Sequence, residues 1–387
     1  MATATDRRPR PRIPASVLLQ SSLILFWGRL GSLNALEMLS GARFWKQWLG
    51  WPLASADTMG RVHAQFDLAP LRSALHHVYT CLKRNKALPS MGGLGVAVLD
   101  GHESHASYLR HCPGCLERTI HTAEGDRIQY YHRQVTLQLL SGKLRLLLDA
   151  EPQRRGEDEV STALRLLERV LQAYPRAFQL VLGDGLYAQA LFFNFLLAHG
   201  KHALVVLKDE RRDLYQDAAG LFPITPAQAG QYRSRQCQWW DVPDLTSWPQ
   251  VKAPVRVVRS QESYPVRRQA NKQVQTKTTE WIWATTLPLA EVSTASVVAL
   301  GHQRWDIENY GFNQLANAWH ADHIYKHEPN AIEAFLLIAF LSYNLFQAFW
   351  ICNLKPQIRR GKSEAYWAQV IASELYQDDV RARGSSP

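Results

Sequence analysis

The sequence predicts an α/β protein in which helices flank a mixed sheet, and three observations support this class. After the Gly92-Gly93 break, apolar runs of strand length alternate with segments of helical periodicity. The first 90 residues show helical spacing alone, so a helical region precedes the sheet. With 387 residues, 46% of them hydrophobic, the chain can bury a full core, and we expect two or three structural units.

The predicted elements follow one another in a regular order. The strand-like runs are GLGVAVLD, QYYHRQVTLQLL, KLRLLLDAEP, FQLVLGD and HALVVLK. Ser141-Gly142 separates the second run from the third, which predicts a hairpin. Helices are predicted from Glu157 to Tyr174 and from Tyr187 to His199. Three strands in a meander, followed by alternating helix and strand, are typical of an α/β fold.

Charge favours a polyanionic partner. Lys and Arg total 44 against 34 for Asp and Glu, a formal charge of +10, and nucleic acid is the first candidate. A membrane surface would require a basic amphipathic helix, whereas the basic residues here are spread over several segments. Five cysteines without a regular framework or a signal peptide indicate a reducing cytoplasm. The run RRPRPR from Arg7 to Arg12 predicts a disordered basic arm.

One stretch is apolar enough to raise the question of a membrane span. It is AFLLIAFLSYNLFQAFWI, from Ala334 to Ile351. Ser342, Asn344 and Gln347 interrupt it, and a lone span would leave the basic, enzyme-like body unexplained. We therefore expect a buried helix and no membrane association.

Two aspartates end apolar runs. Asp100 and Asp184 should emerge at the C-terminal edge of buried strands, where open α/β sheets place their ligands. Either residue, taken alone, could instead serve as a turn or helix cap. Two such edges can lie side by side, which would bring the two carboxylates together.

A third carboxylate lies on a predicted helix. From Arg304, the segment RWDIENYGFNQLANAWH places Glu308 on one apolar stripe, whose other members are Trp305, Phe312, Leu315 and Trp319. One interpretation is an ion pair between Glu308 and Arg304, one helical turn earlier. The other is a metal ligand, since three convergent carboxylates suit Mg²⁺ or Mn²⁺. Two such ions, about 4 Å apart, perform phosphodiester chemistry.

These motifs also resemble a known family. The segments SADTMGRVHAQFDLAPLR, LDGHESHASY, LVLGDGLY and RWDIENYGFNQL are similar to those of the DDE transposases of bacterial insertion sequences. The resemblance implies an RNase H-like fold and Mg²⁺ or Mn²⁺, two ions in all, bound by Asp100, Asp184 and Glu308. It also implies cleavage and strand transfer at element ends, double-stranded DNA as partner (element ends and target DNA), a DNA-bound homodimer, and a nucleoid-associated location in the bacterial cytoplasm.

The third acid of the most similar subgroup lies in a helical pattern, Tyr-x2-Arg-x3-Glu-x6-Lys. This chain keeps Arg304 and Glu308 but has Gly301 and Leu315 where the Tyr and Lys would stand. We expect Arg304 to act in catalysis, as a clamp on the phosphate.

The same resemblance assigns residues 208–298 to a strand-rich insertion. Between residues 230 and 280 basic residues outnumber acids, and tryptophans lie among them, a mixture that suits a DNA end. The predicted DNA-binding residues are Arg233, Arg235, Arg256, Arg259, Arg267, Arg268, Lys272 and Lys277. The alternative for each tryptophan is a place in a small hydrophobic core.

The domain organisation follows from these segments. We predict a basic arm and helical DNA-binding region over residues 1–90 and a catalytic core in two parts, residues 91–207 and 299–352. The insertion separates those parts, and residues 353–387 form a basic tail.

Cys112 and Cys115 have the C-x2-C spacing of a zinc knuckle. Four histidines lie close in sequence: His102, His105, His111 and His121. A structural zinc site is one interpretation, and a turn with two free thiols is the other.

Three functions remain open at this stage. The first is an active transposase, favoured by the presence of all three acids. The second is a catalytically inactive, DNA-binding relic, for which the missing Tyr and Lys leave room. The third is an RNase H-like nuclease or junction resolvase, which would share the metal chemistry without an end-specific insertion.

Overall fold

The computed structural model describes residues 4–210, 212–267 and 274–383, without the side chains of residues 377–383. The chain forms two compact units. Unit 1 comprises Met1–Pro89, Gly101–Pro175 and Glu308–Pro387, and unit 2 comprises Ser90–Asp100 and Arg176–Ile307.

The helices are α1 (Ala15–Trp27), α2 (Leu33–Glu37), α3 (Arg43–Leu49), α4 (Ala56–His63), α5 (Leu68–Arg84), α6 (Glu159–Ala173), α7 (Ala190–Ala198), α8 (Asp213–Leu221), α9 (Thr294–Gln303), α10 (Asn313–Asn317), α11 (Pro329–Gln347), α12 (Pro356–Arg359) and α13 (Glu364–Arg383). Short 3₁₀ helices cover Gly185–Tyr187 and Phe222–Ile224, and π-helical turns cover Ile307–Phe312 and Ala348–Asn353.

The strands are β1 (Val96–Ser107), β2 (Leu116–Thr122), β3 (Gly125–Ser141), β4 (Leu144–Pro152), β5 (Leu180–Gly183), β6 (His202–Val206), β7 (Gln228–Tyr232), β8 (Arg235–Leu245), β9 (Val255–Arg267) and β10 (Val274–Thr285). Strand β1 starts in unit 2 and ends in unit 1.

Unit 1 combines antiparallel strands with helices. Strands β2, β3 and β4 pair in sequence order, and the predicted hairpin at Ser141-Gly142 is confirmed, with Gly142 at φ +56°. The helical region of α1–α5 lies where the sequence predicted it. The segment before α1 is held in place, because the Arg7 amide donates to the Gln65 carbonyl over 3.1 Å. The predicted disorder of this basic arm is therefore wrong over the described residues.

Helix α11 is the central helix of unit 1. It packs against α1, α4, α5 and β4. The helical segment Pro329–Asn353 is long and apolar enough to cross a membrane by length and composition, yet 67% of its most apolar window is buried within the protein. The prediction of a buried helix is confirmed.

The polar residues of α11 have structural partners. Asn344 uses its side-chain amide on β4: Oδ1 accepts from the Leu147 amide over 2.9 Å, and Nδ2 donates to the Leu147 carbonyl over 2.8 Å. Strand β4 pairs with β3 along its other side. Asn344 thus provides hydrogen-bond partners for the Leu147 amide and carbonyl, which would otherwise be unsatisfied in an apolar interior.

Unit 2 is built on a mixed sheet. Its strand order is β1-β5-β6-β10-β9-β8-β7. Strands β1, β5 and β6 are parallel to one another. From β6 onwards each neighbouring pair is antiparallel: β6 with β10, β10 with β9, β9 with β8, and β8 with β7. Helices α7, α8 and α9 pack against this sheet. The predicted α/β class, a mixed sheet flanked by helices, is confirmed.

Candidate active site

The two aspartates lie on neighbouring parallel strands of unit 2. Strands β1 and β5 pair with Val96 opposite Leu180 and Val98 opposite Leu182. Continued by two residues, this register sets Asp100 opposite Asp184. Opposite residues of parallel strands face the same side of a sheet, with backbones about 4.8 Å apart. The register therefore sets the two aspartates side by side, on the same side of the sheet.

The two positions differ in local structure. Asp184 follows β5 directly, as predicted, and its Oδ1 accepts from the Leu186 amide over 2.8 Å, which caps the short helix behind it. Asp100 does not end its strand, because β1 continues to Ser107. The burial of the strand changes at Asp100 instead. The four strand residues before Asp100 are buried, and those from Asp100 to Ala106 are mostly half-buried. The apolar run marked a change in burial rather than a strand end.

Arg304 faces the first of these acids. Its Nη1 lies 3.5 Å from Oδ2 of Asp100, and its guanidinium carbon lies 4.2 Å from the centroid of the Trp305 ring. The arginine is only 6% exposed. A buried cation therefore stands beside the carboxylate, and an aromatic face supports its plane.

The segment that carries Glu308 departs from the predicted α-helix. A π-helical turn covers Ile307–Phe312, in which backbone hydrogen bonds join residues five positions apart instead of four. Ile307 is completely buried, whereas Trp305, expected on the apolar stripe, is 38% exposed. Phe312, Leu315 and Trp319 are buried as predicted. Glu308 is half-buried at the start of this segment, in unit 1.

Packing explains both departures from the Tyr-Arg-Glu-Lys pattern. A Cβ atom at Gly301 would lie 2.5 Å from Cε2 of Trp283, so a tyrosine does not fit while this tryptophan is in place. Leu315 is buried in unit 1, where a lysine would place an ammonium group in an apolar core.

The family model of the transposase DDE domain matches residues 99–345, more than half of the chain, and the match includes Asp100, Asp184, Arg304 and Glu308. This chain belongs to the DDE transposase family. The α/β fold with its large mixed sheet is consistent with the RNase H-like domain of such transposases. Members act on DNA and generally use divalent metal ions. No curated protein matches the chain.

The transposase buries one arginine that the sequence assigned to DNA. Arg256 is 3% exposed; Nε and Nη2 bond the two oxygens of Asp241 at 2.8 and 2.5 Å, and Nη1 donates to the Val292 carbonyl over 2.7 Å. All three nitrogens of this guanidinium bond acceptors within unit 2, so it has no free face for a phosphate, and the DNA contact predicted for Arg256 is wrong.

Other predicted DNA-binding cations differ in their surroundings. Arg235 bonds Glu262 over 2.8 Å, and Arg259 bonds Glu280 over 2.5 Å. Arg233, Arg267 and Lys277 are exposed, on the turn between β7 and β8 and on the β9–β10 hairpin. Arg268 and Lys272 lie outside the described residues. Part of the positive charge counted in the sequence is therefore neutralised within the sheet.

The tryptophans between residues 230 and 285 fall into a buried group and a partly buried group. Trp239 and Trp283 are buried, and the ring of Trp239 covers Gly230, where a Cβ atom would lie 2.2 Å from it. Trp240, Trp248 and Trp281 are only partly buried. The core interpretation is right for the first two.

Unit 1 of the transposase contains a cavity of about 710 Å³ lined by basic and aromatic side chains. Its cations are Lys143, Arg145, Arg359 and Arg360, and its rings are Tyr310, Tyr343 and Trp350. Glu364 also lines it. Charge beside flat rings is the combination that binds phosphates and bases.

The C-x2-C motif lies beside two histidines that the sequence did not assign to it. Sulfur and nitrogen atoms of Cys112, Cys115, His132 and His327 lie within 4.8 Å of one another in unit 1. The β2–β3 register, with Leu116 opposite Tyr131, carries one residue further to set Cys115 opposite His132.

The histidines that the sequence placed near this motif have other contacts. His102 stacks on Phe312 with ring centroids 4.5 Å apart, and His121 hydrogen-bonds Asp126 over 2.7 Å. The ring of His111 stacks on Tyr130 at 4.6 Å. The ring of His105 lies 5.7 Å from that of His327, at the margin of the cysteine cluster. Closeness in sequence therefore did not predict which histidines lie beside the two cysteines.

Proposed function

We propose that this transposase cleaves DNA at the ends of an insertion sequence and joins those ends to target DNA, using Mg²⁺ or Mn²⁺. The observation that carries the proposal is the register that sets Asp100 opposite Asp184. Two carboxylates at neighbouring positions repel each other unless a cation lies between them. Their oxygen-only donor set fits hard divalent ions.

The acids have separate tasks in this proposal. Asp100 and Asp184 hold the metal from the sheet, and the Leu186 amide keeps the Asp184 carboxylate in one orientation. Glu308 is the third ligand, an assignment that rests on its place in the family motif. When bound, the ions activate water or a 3′-hydroxyl and stabilise the leaving oxygen of the displacement.

Arg304 is the proposed clamp on the scissile phosphate. Its guanidinium can contact two phosphate oxygens at once, which a lysine cannot do. Burial and the Trp305 ring restrict the orientation of the guanidinium, so little entropy is lost when a phosphate binds. Without substrate, its contact with Asp100 partly neutralises that acid.

Two groups of cations are proposed to bind DNA. One is the exposed set Arg233, Arg267 and Lys277 of unit 2, and the other lines the cavity of unit 1. Replacing the first set together by alanine should weaken DNA binding and flatten its dependence on salt, by up to about 0.9 in log-log slope per lost phosphate contact. An unchanged slope in a folded variant would exclude this set from the interface. Because two element ends must be paired, we also propose a homodimer on DNA, which light scattering with and without end DNA would detect.

The test of the proposed reaction uses DNA flanking the gene, where terminal inverted repeats define the substrate. Cleavage of labelled end DNA with Mg²⁺ is compared among Asp100→Asn, Asp184→Asn, Glu308→Gln and the parental protein. Each substitution should lower cleavage about a hundredfold or more while DNA binding persists. Asparagine at 184 keeps an oxygen for the Leu186 amide, so its effect reports on charge rather than on the cap.

The control is Asp217→Asn, an exposed acid of α8, which should cleave normally. Near-normal cleavage by any of the three test variants would remove that residue from the metal site. Binding without cleavage by the parental protein would instead identify an inactive relic. Cleavage without joining and without preference for the ends would favour a nuclease or resolvase.

A further inference from the structure

In the cluster of Cys112, Cys115, His132 and His327, four of the six distances between the sulfur and nitrogen atoms match those between ligands of one tetrahedral ion. Zinc bonds of about 2.3 Å to sulfur and 2.0 to 2.1 Å to nitrogen imply S···S of about 3.8 Å and S···N of about 3.5 Å. In unit 1 the two Sγ atoms are 3.8 Å apart. Nε2 of His132 lies 3.4 Å from Sγ of Cys112 and 3.3 Å from that of Cys115, and Nε2 of His327 lies 3.6 Å from Sγ of Cys115.

The surrounding chain holds this arrangement in place. The Cys112 amide donates to Sγ of Cys115 over 3.2 Å, and the Cys115 amide donates to the Cys112 carbonyl over 3.0 Å, which closes the turn. Nε of Arg155 donates to the Cys115 carbonyl over 2.8 Å. A Cβ atom at Gly114 would lie 3.1 Å from Cγ of Pro329, so the turn packs closely on the first residue of α11.

We propose that Cys112, Cys115, His132 and His327 bind one zinc ion in a closed structural site. Thiolate and imidazole ligands select zinc over the hard ions that carboxylates prefer. Four protein ligands leave no open position for water or substrate, which distinguishes a structural from a catalytic zinc site.

The site would connect distant parts of unit 1. It joins the turn before β2, strand β3 and the segment before α11, and the thiol of Cys115 is 212 positions from His327 in the sequence. A link across so long a loop restricts the unfolded chain strongly. The ion would thus fasten the β2–β3 hairpin to the start of the core helix.

A redox-active cysteine pair is the main alternative for a C-x2-C motif. Two imidazole nitrogens within 3.6 Å of the thiols have no role in a simple disulfide, and they favour the metal. The two cases differ in metal content and in the oxidation state of the thiols.

The test measures zinc in protein purified under reducing conditions, without a chelator and without a metal-affinity tag. We expect about one zinc per chain. Cys115→Ser and His327→Asn should each lower the zinc content about tenfold or more. Matched controls are Cys81→Ser and His121→Asn, outside the cluster, and Asp100→Asn, in the proposed catalytic site, all of which should retain zinc.

Zinc-free parental protein, with either reduced thiols or a Cys112–Cys115 disulfide, would overturn the proposal, and so would full zinc content in Cys115→Ser. Should the variants fail to fold, the parental protein decides alone. Produced in cobalt-supplemented medium, it should show the intense visible absorption and thiolate charge-transfer bands of tetrahedral cobalt. A weak octahedral spectrum would overturn the site, whatever the outcome of the cleavage assays.

Discussion

Asn344 offers a quantitative test of how unit 1 is held together. Asn344→Leu keeps the approximate shape of the side chain but removes both hydrogen bonds to Leu147. Asn344 is 2% exposed and Leu147 is completely buried, so water cannot replace the lost partners. Each stranded backbone group costs about 1 to 3 kcal/mol, and the apolar leucine recovers part of the sum. We expect the free energy of unfolding to fall by about 2 to 4 kcal/mol.

The assay is urea denaturation followed by circular dichroism. Ser342→Ala is the matched control, because Ser342 is buried in the same helix but its hydroxyl donates to the Ile338 carbonyl, one turn earlier, rather than to β4. Losing that bond strands no backbone donor, so we expect a change below about 1 kcal/mol. Equal stability of Asn344→Leu and the parental protein would show that the Leu147 groups find other partners and would refute the reasoning.

Three further predictions concern single side chains. Arg304→Lys keeps the positive charge but loses the planar guanidinium, so the cleavage rate should fall tenfold or more, a loss of transition-state stabilisation on the order of 1.4 kcal/mol. The affinity for Mn²⁺, measured by calorimetry, should stay the same. A parental cleavage rate would show that Arg304 is only an ion-pair partner of Asp100. Arg256→Met leaves the buried Asp241 carboxylate without its cation, although the Thr294 hydroxyl still donates to it, and should lower the free energy of unfolding by about 3 to 5 kcal/mol. The control is Lys277→Met, at an exposed position of β10, which should change stability little. A fully stable Arg256→Met with weakened DNA binding would return Arg256 to the interface. Burial lowers the pKa of His63 to about 4, so the neutral side chain stabilises the fold above pH 6.5, and this contribution is lost by about 1.4 kcal/mol per pH unit as the pH falls towards 4. His63→Gln should therefore flatten the dependence of the free energy of unfolding in urea on pH. Parallel curves for the variant and the parental protein would contradict the assignment.

Local patterns predicted much of the fold. The hairpin at Ser141-Gly142, the strand before Asp184 and the buried helix α11 were all read from short-range periodicity and turn residues. Such features succeed because hydrophobic spacing and turn geometry act within a few residues of one another. These local patterns could not predict the order of the strands in unit 2.

The failures share one cause, namely partners distant in the sequence. The charge count could not show that Asp241 lies against Arg256, and helical periodicity could not show the π-helical turn at Ile307–Phe312 or the exposure of Trp305. His132 and His327 join the cysteine pair only through the pairing of β2 with β3 and the packing of α11. Each outcome depends on tertiary pairing that a single sequence does not display.

The pairing of β10 bears on how the insertion can be altered. Trp283 and Thr285 of β10 pair with Val206 and Leu204 of β6, the strand next to the one that precedes Asp184. Residues 208–298 are therefore not a detachable module, because they supply a strand to the sheet that holds the aspartates. A chain shortened by this segment would expose the edge of β6 to self-association. Substitutions that test DNA binding by this hairpin are accordingly best placed in its outer part, residues 264–267 of β9 and 274–277 of β10, with the base of the hairpin left intact.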